Sequence, residues 1–533
     1  MIQREATGAS ISNSVFILRL FIILFLPVLL GSCTHYKRNS THKHVSLASI
    51  QNGKALAIKF CQSCHLLPDP SMLDSKSWEK GVLPNMGPRL GIFNNGFHAY
   101  PSSKMDKNLD PGYYPSMPVL AFGDWQNILD YYEATSPDSL PGQDRHQPIS
   151  VNLPLFVPKP MSFTYKNPAT VFVKINDRDT SQPLVVSDAL KQEVYFLNRI
   201  GEIRDSMYSP GPVVNIDFEK DRMLWCNIGV LPPNDGRFGT GELITIGANG
   251  EKTRDTIPAF DGLRRPVQIS AADLNDDGRT DYLVCEFGNL MGSLSWMEDT
   301  GNGKFSKHVL RAAPGSIKAY VNDYNHDGLP DIWALFAQGE EGIFLFTNKG
   351  HGEFRTQEVL RFPPVYGSSY FELADFNNDG YPDIVYTCGD NADFSPVLKP
   401  YHGVYIFLND KSNHFTQKYF FPINGCYKAV ARDFDGDGDL DIATISFFAD
   451  YERQPEESFV YLENKGDFNF QPYSLPAAKE GRWLTMDAGD IDGDGKIDLI
   501  LGNFSLGLSL VRPSVDWKKS PPFIVLKNTG KVK

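Results

Sequence analysis

The chain is poor in basic residues and in long hydrophobic runs. Its 533 residues include 51 lysines and arginines against 64 aspartates and glutamates, which gives a formal net charge of −13. An acidic chain does not neutralise nucleic-acid phosphates, so we expect no nucleic-acid partner. The apolar run at residues 20–30 is too short to span a bilayer.

Residues 1–33 resemble a bacterial lipoprotein signal peptide. Arg4 and Arg19 precede the apolar run, which leads to Leu30, Gly31, Ser32 and Cys33. Small residues before a cysteine, with leucine at the third position back, resemble a lipobox and imply that Cys33 is lipidated. An ordinary cleaved signal or an uncleaved anchor remains the alternative. Because Cys33 is not followed by Asp, the resemblance implies a lipid anchor in the outer membrane, on its periplasmic face.

Cysteine and histidine are scarce, with 7 and 11 residues, yet Cys61, Cys64 and His65 fall together as C-x-x-C-H. This is the attachment motif of a c-type haem: two thiols form thioethers with the haem, and the adjacent imidazole ligates the iron. Half of a zinc site would need two more ligands nearby, and a thioredoxin-like pair would need a βαβ setting. The neighbouring sequence has neither, so we predict one covalent haem c.

Residues 46–136 are predicted to form a unit of their own. A helix over 47–60 leads into C-x-x-C-H, and a second helix over 124–134 has Asp124 as its expected N-cap. One helix before the haem and one at the end resembles a class I cytochrome c domain. The proline-rich residues 137–154 are predicted to be a semi-rigid linker to a second domain at 155–533.

Two methionines compete for the sixth position of the haem iron. Met86 follows Leu83, Pro84 and Asn85, whereas Met117 comes just before the last helix. The spacing in class I cytochromes favours Met117, and the resemblance to exported proteins with a Leu-Pro-x-Met-Gly segment favours Met86, which we prefer. His98 is a third candidate, and either methionine could simply pack against the porphyrin or the core.

Acidic repeats dominate the second domain. Five segments carry Asp at position one, Asn or Asp at three, Asp at five, Gly at six and Asp at nine, and degenerate copies stand at 217–221 and 174–179. About seven such units, each predicted to hold four short strands, indicate a β-propeller. A strand within 155–165 is expected to complete the last blade and close the ring. We therefore predict a mainly β fold, preceded by a small all-α cytochrome c-like domain.

The acidic segments offer hard oxygen ligands on a tight turn, which suits Ca²⁺. An EF-hand is excluded because position twelve is Val284, Ala334, Tyr386, Thr444 and Leu501, never Glu. Solvated turn residues are the alternative, but five copies of one pattern favour about five Ca²⁺, which would offset most of the negative charge. The candidate ligands are Asp273, Asn275, Asp277 and Asp281; Asp323, Asn325, Asp327 and Asp331; Asp375, Asn377, Asp379 and Asp383; Asp433, Asp435, Asp437 and Asp441; and Asp490, Asp492, Asp494 and Asp498.

These repeats resemble the VCBS/FG-GAP family of calcium-binding β-propellers, as in the heads of integrin α-subunits. The resemblance covers residues 160–533 and implies that each acidic loop joins the innermost strand of a blade to the second strand. On the opposite face, long loops are expected at 229–241, 389–402 and 448–458. Binding usually lies on such loops. The expected partner surface at the channel mouth is formed by Gln268, Lys318, Tyr370, Lys428 and Thr485, with Arg482 close by.

Three functions are compatible with this organisation. The first is an electron-transfer lipoprotein, since a haem with two axial protein ligands has no open site for chemistry, and its propeller would bind a periplasmic redox partner or a small-molecule or glycan ligand. The second is a dehydrogenase whose propeller holds a quinone cofactor, although no convincing catalytic constellation is visible. The third is an adhesion or glycan-binding propeller with an accessory haem. Fold alone does not choose among them, and we favour the first.

The other four cysteines stand in the second domain, in segments that are predicted to be apolar strands. Cys226, Cys285, Cys388 and Cys426 are expected to be buried free thiols, because free cysteine behaves as a small hydrophobic residue. A disulfide among them stays open at this point.

Overall fold

The computed structural model describes residues 44–176, 179–392, 394–507 and 513–530. The expected signal segment 1–33, with Cys33, lies outside the described residues. Across the described part of the chain, we find no helix with the length and hydrophobicity needed to cross a membrane.

The N-terminal unit is helical. Its helices are α1 (Leu47–Phe60), α2 (Ser75–Ser77), α3 (Leu83–Met86) and α4 (Phe122–Thr135), with a π-helical turn at Trp78–Val82, 3₁₀ turns at Pro70–Met72 and Pro88–Leu90, and a hairpin of β1 (Asn94–Asn95) and β2 (His98–Ala99). Helix α1 has the predicted bounds. Helix α4 begins earlier than predicted, with Ala121 as its N-cap, so the assignment of Asp124 as the cap was wrong. Asp124 lies in the first turn, where its charge still complements the helix dipole.

Helices α1 and α4 cross in close contact at Gly53. A Cβ at this position would lie 1.8 Å from the backbone oxygen of Asn127, so only glycine allows this approach. The hydroxyl of Ser49 donates to the Asn127 side-chain oxygen at 2.7 Å and to an Asp130 carboxylate oxygen at 2.5 Å. The crossing encloses a core with Trp78, Ile128 and other apolar side chains. This layout has one helix directly before C-x-x-C-H and one at the end of the unit.

The second unit is a β-propeller of seven four-stranded blades within the described residues. In chain order the strands are β4 (Thr170–Ile175), β5 (Leu184–Asp188), β6 (Glu193–Leu197) and β7 (Ile203–Tyr208); β8 (Val213–Phe218), β9 (Arg222–Asn227), β10 (Gly239–Ile246) and β11 (Lys252–Leu263); β12 (Pro266–Ala272), β13 (Asp281–Glu286), β14 (Ser293–Gly301) and β15 (Lys304–Arg311); β16 (Ser316–Asn322), β17 (Asp331–Phe336), β18 (Gly342–Asn348) and β19 (Phe354–Arg361); β20 (Ser368–Ala374), β21 (Asp383–Cys388), β22 (Gly403–Asn409) and β23 (Phe415–Pro422); β24 (Cys426–Arg432), β25 (Asp441–Ser446), β26 (Phe459–Asn464) and β27 (Phe470–Tyr473); and β28 (Trp483–Gly489), β29 (Asp498–Asn503) and β30 (Phe523–Asn528).

The seventh blade is completed by β3 (Phe156–Lys159), as predicted. Strand β3 pairs antiparallel with β30, so the blade has the order β28-β29-β30-β3. Phe156 anchors the strand by edge-to-face contacts with Phe434 and Tyr461, with ring centroids 5.5 and 5.6 Å apart. The N-terminal end of the domain thus closes the ring, and no blade is left with an unpaired third strand at this junction.

Burial follows the radial order of the strands. The first strands of adjacent blades contact one another around the ring and line the central channel. The second strands β13, β17, β21, β25 and β29 are buried along their whole length, which explains their continuous apolar sequences. Cys226, Cys285, Cys388 and Cys426 are buried free thiols, as predicted. The core therefore lies between blades, where successive sheets pack face to face.

The helical unit is docked on the propeller face that carries the connections between second and third strands. The Tyr401 hydroxyl donates to the Met72 carbonyl at 3.1 Å, and Val365 and Tyr401 pack into the core of the helical unit. Farther along the face, the Arg264 guanidinium donates to the Asn108 carbonyl at 2.9 Å. The residues predicted to be a linker run along the sixth blade, where the Ser150 backbone exchanges hydrogen bonds with β27 and its neighbour.

We predict that Gly81→Ala loosens this docking. A Cβ on Gly81 would lie 1.9 Å from the backbone oxygen of Phe394, and a backbone atom cannot rotate away. Hydrogen exchange should accelerate in residues 389–402 and 78–86, while the acidic loops on the far face keep their protection. Lys80→Ala, at an exposed neighbouring position, is the matched control. Unchanged exchange in both segments would show that the contact is not part of the interface.

Candidate functional site

The acidic loops all lie on the face opposite the helical unit, and each joins a first strand to a second strand. In each loop the carboxylate at position one accepts backbone N–H groups from positions five and six. Asp433, for example, accepts from Asp437 at 3.1 Å and from Gly438 at 3.0 Å. The same pair of bonds recurs at Asp273, Asp323, Asp375 and Asp490. The repeated sequence pattern therefore gives one repeated loop shape.

The loop shape gathers carboxylates. Asp433, Asp435 and Asp437 each bring one oxygen within 4.8 Å of the others, and Asp490, Asp492 and Asp494 do the same. Hard oxygen donors at this spacing suit a calcium ion, whose double charge would relieve their mutual repulsion. The residues of the loop at 433–441 thus fit the predicted ion. In the loop at 490–498, Lys527 also contacts the carboxylates of Asp492 and Asp494.

The aspartate at position nine has a further role that the sequence pattern does not reveal. Asp441 is fully buried, and its carboxylate accepts the Phe434 N–H at 3.2 Å, the Asn464 N–H at 2.8 Å and the Tyr461 hydroxyl at 2.6 Å. Burial raises the pKa of Asp441 to about 7, and its hydrogen bonds oppose that shift. Asp281, Asp331, Asp383 and Asp498 are likewise buried and bonded to the third strand of their blades.

We predict that Ca²⁺ stabilises the propeller through these loops. An ion that binds only the folded state contributes about 2.7 kcal/mol per site at a hundredfold excess over Kd. Chelation should therefore lower the melting temperature, and Asp437→Ala should reduce the calcium-dependent part of the gain. Glu452→Ala removes an exposed carboxylate from the same blade outside the loop and should leave the gain intact. If the melting temperature is the same with and without a chelator, the acidic loops are only turns.

The C-x-x-C-H residues lie where α1 ends. Cys61 is the C-cap of the helix, and its backbone N–H donates to Ala57. Cys61 and Cys64 are both free thiols, and Cys64 is exposed. Burial, and next the neighbouring Cys64, raise the pKa of Cys61 to about 11. Two free thiols at one helix end meet the covalent requirement of a c-type haem.

The imidazole of His65 is oriented by the backbone. Its Nδ1 lies 2.8 Å from the Leu66 carbonyl oxygen, which leaves Nε2 for a metal, in the arrangement typical of metal-bound histidine. Burial lowers the pKa of His65, and the charges of Arg89 and Arg361 act in the same direction. The neutral imidazole is the form that ligates iron. These residues fit a haem at this position.

The two candidate methionines occupy different environments. Met86, at the end of α3, packs with Cys61 against the core between α1 and α4. Met117 is 73% exposed, and His98 lies in the exposed hairpin strand β2. Large apolar side chains are exposed elsewhere in this unit, including Phe97 and Met105. The environment of Met86 is the closer match to an iron ligand in the interior of the unit.

The residues expected at the channel mouth differ in their accessibility. Gln268 is buried and its side chain bonds both backbone groups of Ala319. Arg482 is buried and stacks over Phe447 with its guanidinium 3.8 Å from the ring centroid. Lys318, Tyr370, Lys428 and Thr485 are half-buried on the inner strands. Gln268 and Arg482 therefore act inside the protein, whereas the other four face the channel.

The channel lining contains more charged residues than the sequence pattern singled out. Lys428 donates to the Met486 carbonyl at 2.7 Å, and Lys174 pairs with Asp487 at 3.1 Å. Tyr320 stands two residues after Lys318 on the same inner strand, and its hydroxyl lies 3.0 Å from the hydroxyl of Tyr370. Strand alternation could have found these neighbours, because residues two apart point to the same face.

We predict that Lys428→Met stabilises the propeller near neutral pH, by on the order of 1 kcal/mol, and that the gain disappears in alkali. Burial, with help from Lys318 and Lys174, lowers the pKa of Lys428 to about 8, below its ordinary value of 10.5. The cost of charging the folded lysine is present below about pH 8 and vanishes as the pH rises towards its unfolded pKa.

Chemical denaturation at about pH 7 and about pH 10 measures this difference. Lys304→Met, at an exposed position, is the control and should give no pH-dependent gain. An equal gain at both pH values would show that the Lys428 charge costs nothing in the channel.

The three long loops are held by other parts of the chain. In 229–241, buried Asp235 accepts the backbone N–H groups of Leu290 and Met291 at 2.8 and 3.0 Å. In 448–458, buried Glu457 forms an ion pair with Arg145. The loop at 389–402 contacts the helical unit through Tyr401. The face predicted to bind a partner is therefore occupied in part by the chain's own N-terminal region.

Comparison with known proteins identifies the repeats. Residues 273–334 and 323–386 match the model of the FG-GAP-like repeat. The chain is 28% identical over 197 residues to cartilage acidic protein 1 of Xenopus tropicalis, and this alignment covers 34% of the chain and 27% of that protein. It is 24% identical over 322 residues to a T-cell immunomodulatory protein homolog of Plasmodium falciparum, covering 46% and 44%. It is 31% identical over 140 residues to integrin alpha-PS5 of Drosophila melanogaster, covering 22% and 14%.

The chain thus spans less than half the length of these relatives. Among solved structures, Sqt1 of Saccharomyces cerevisiae aligns over 72% of this chain and 100% of its own, with a TM-score of 0.42 and 8% identity, a likeness too weak to carry an argument. Within the described residues the second unit is thus a seven-bladed β-propeller, and part of it matches FG-GAP-like repeats.

Proposed function

We propose that the protein is an electron-transfer protein, anchored by Cys33 in the outer membrane, with one haem c in the helical unit and a calcium-stabilised propeller. The observation that carries the proposal is the geometry of C-x-x-C-H. Two free thiols and an imidazole oriented by a backbone carbonyl stand together at the end of α1. A bound haem would supply reversible one-electron chemistry.

The residues of the helical unit would have different roles in holding the haem. Cys61 and Cys64 would attach the group, His65 would supply a nitrogen ligand and Met86 a sulfur ligand. With two ligands from its own side chains, the unit would carry electrons and would offer a substrate no place at the metal. Met86 is half-buried against the apolar core of the unit, and such a setting would favour a defined potential.

The propeller would hold the electron carrier in place and bind its partner. Contacts from Tyr401, Val365 and Arg264 fix the helical unit on the long-loop face. Arg361 and Glu340, at the edge of the fourth blade, pair with each other at 2.9 Å and act on the pKa of His65 in opposite directions. The partner would be a periplasmic redox protein or a small-molecule or glycan ligand.

A binding propeller without electron transfer is the second candidate. It is favoured by the similarity to integrin alpha-PS5 and by the FG-GAP-like repeats. In that case the thiols of the helical unit would stay free and only the propeller would act. The two candidates are separated by the presence of covalent haem.

We predict that protein made together with a cytochrome c maturation system carries one haem that survives denaturing electrophoresis. Cys64→Ser should reduce or abolish attachment, because one thioether is lost. Ser63→Ala, between the two cysteines, leaves both thiols and should retain the haem. Wild-type protein without covalent haem from such a system would leave the binding propeller as the function.

A further inference from the structure

One acidic loop holds a lysine at its centre. The Lys527 ammonium lies 2.6 Å from an Asp492 oxygen, 2.9 Å from an Asp494 oxygen and 3.5 Å from an Asp498 oxygen. These aspartates stand at positions three, five and nine of the loop at 490–498. The lysine side chain is only 22% exposed. A single cation of the chain thus reaches three of the four carboxylates expected to ligate calcium.

The five blades with acidic loops can be compared at the same position. Lys527 directly precedes Asn528, whose backbone N–H donates to the position-nine Asp498 at 2.8 Å. The equivalent donors are Asp299, Asn348, Asn409 and Asn464, at 2.8 to 2.9 Å from their own position-nine aspartates. The residues before these donors are Glu298, Thr347, Leu408 and Glu463. Among these five positions, a basic residue stands only in the seventh blade.

This difference changes the electrostatics of the loop. An ammonium within hydrogen-bond distance of two carboxylates takes up their lone pairs and their charge. A divalent ion among the same oxygens would be repelled by the lysine. In the sixth blade the equivalent residue is Glu463, which pairs with Lys465 at 2.5 Å, so this position brings no positive charge to the loop.

We propose that Lys527 takes the place of calcium in the loop at 490–498, so that the propeller binds Ca²⁺ in its other acidic loops and not in this one. The proposal rests on the proposed calcium binding of those loops. Strand β30, which carries Lys527, is the strand that pairs with β3. The blade that closes the ring is therefore pinned by a cation of the chain itself, and closure does not depend on the calcium supply.

The test counts bound ions and measures stability in the full-length protein. Lys527→Gln should bind one Ca²⁺ more than the wild type by equilibrium dialysis. In chelator its melting temperature should fall below that of the wild type, and added Ca²⁺ should restore it by a larger increment. Lys496→Gln is the control: its ammonium lies 3.5 Å from one Asp494 oxygen and is 42% exposed, so its removal should leave the ion count unchanged.

A reciprocal variant keeps the test decisive if Lys527→Gln folds poorly. Glu463→Lys places a lysine at the equivalent position of the sixth blade and should remove one bound ion. Ion counts that are the same in the wild type, Lys527→Gln and Glu463→Lys would overturn the proposal, because lysine would then yield to calcium. No bound calcium in any of the proteins would overturn the calcium proposal itself, and with it this inference.

Discussion

The propeller depends on a buried aspartate that is repeated in five blades. The position-nine carboxylate lies at the start of the second strand and accepts a backbone N–H group from the third strand in each of these blades. In four of them it also accepts one from the acidic loop, as Asp383 does from Phe376 at 3.0 Å. A buried carboxylate without donors would be costly, so these bonds fix three strands of one blade relative to one another. The remaining carboxylates of the loop are thereby held close together, and their repulsion calls for a cation.

The two faces of the ring carry different tasks because of this arrangement. The acidic loops take one face, where Lys527 pairs with the carboxylates of one loop and calcium from solvent is proposed to neutralise the others. The other face carries the long connections, which do not contain the clustered carboxylates of the acidic loops and which reach the helical unit. Arg264 illustrates the coupling on this face, since its guanidinium bonds the Asp235 carbonyl within the propeller and the Asn108 carbonyl of the helical unit. The docked helical unit and the acidic loops consequently lie on opposite faces of the ring.

The features that could be predicted from the sequence are those that arise from local and repeated patterns. The four-stranded blades, helix α1 and the closing strand β3 were all predictable, because each depends on a periodic or punctuated pattern of neighbours. The position of Asp124 was misjudged because Ala121 caps the helix without a side-chain acceptor. The contacts of Lys527 and the docking of the helical unit on residues 389–402 could not be predicted from the sequence. Each brings together residues that are distant in the chain and are not related by the repeat pattern.

The docking also changes where recognition by this protein can take place. Loops presented on a rigid scaffold usually bind a partner, yet here Asp235, Glu457 and Tyr401 of the three long loops are bonded within the chain. The exposed apolar side chains Phe97, Met105 and Met117 belong instead to the helical unit. Exposed apolar side chains on the unit proposed to carry the haem would suit brief encounters with a redox partner, in which close approach matters more than a large interface. If the helical unit carries electrons as proposed, the propeller would hold it in place, and the stability of the ring would govern how the carrier is presented.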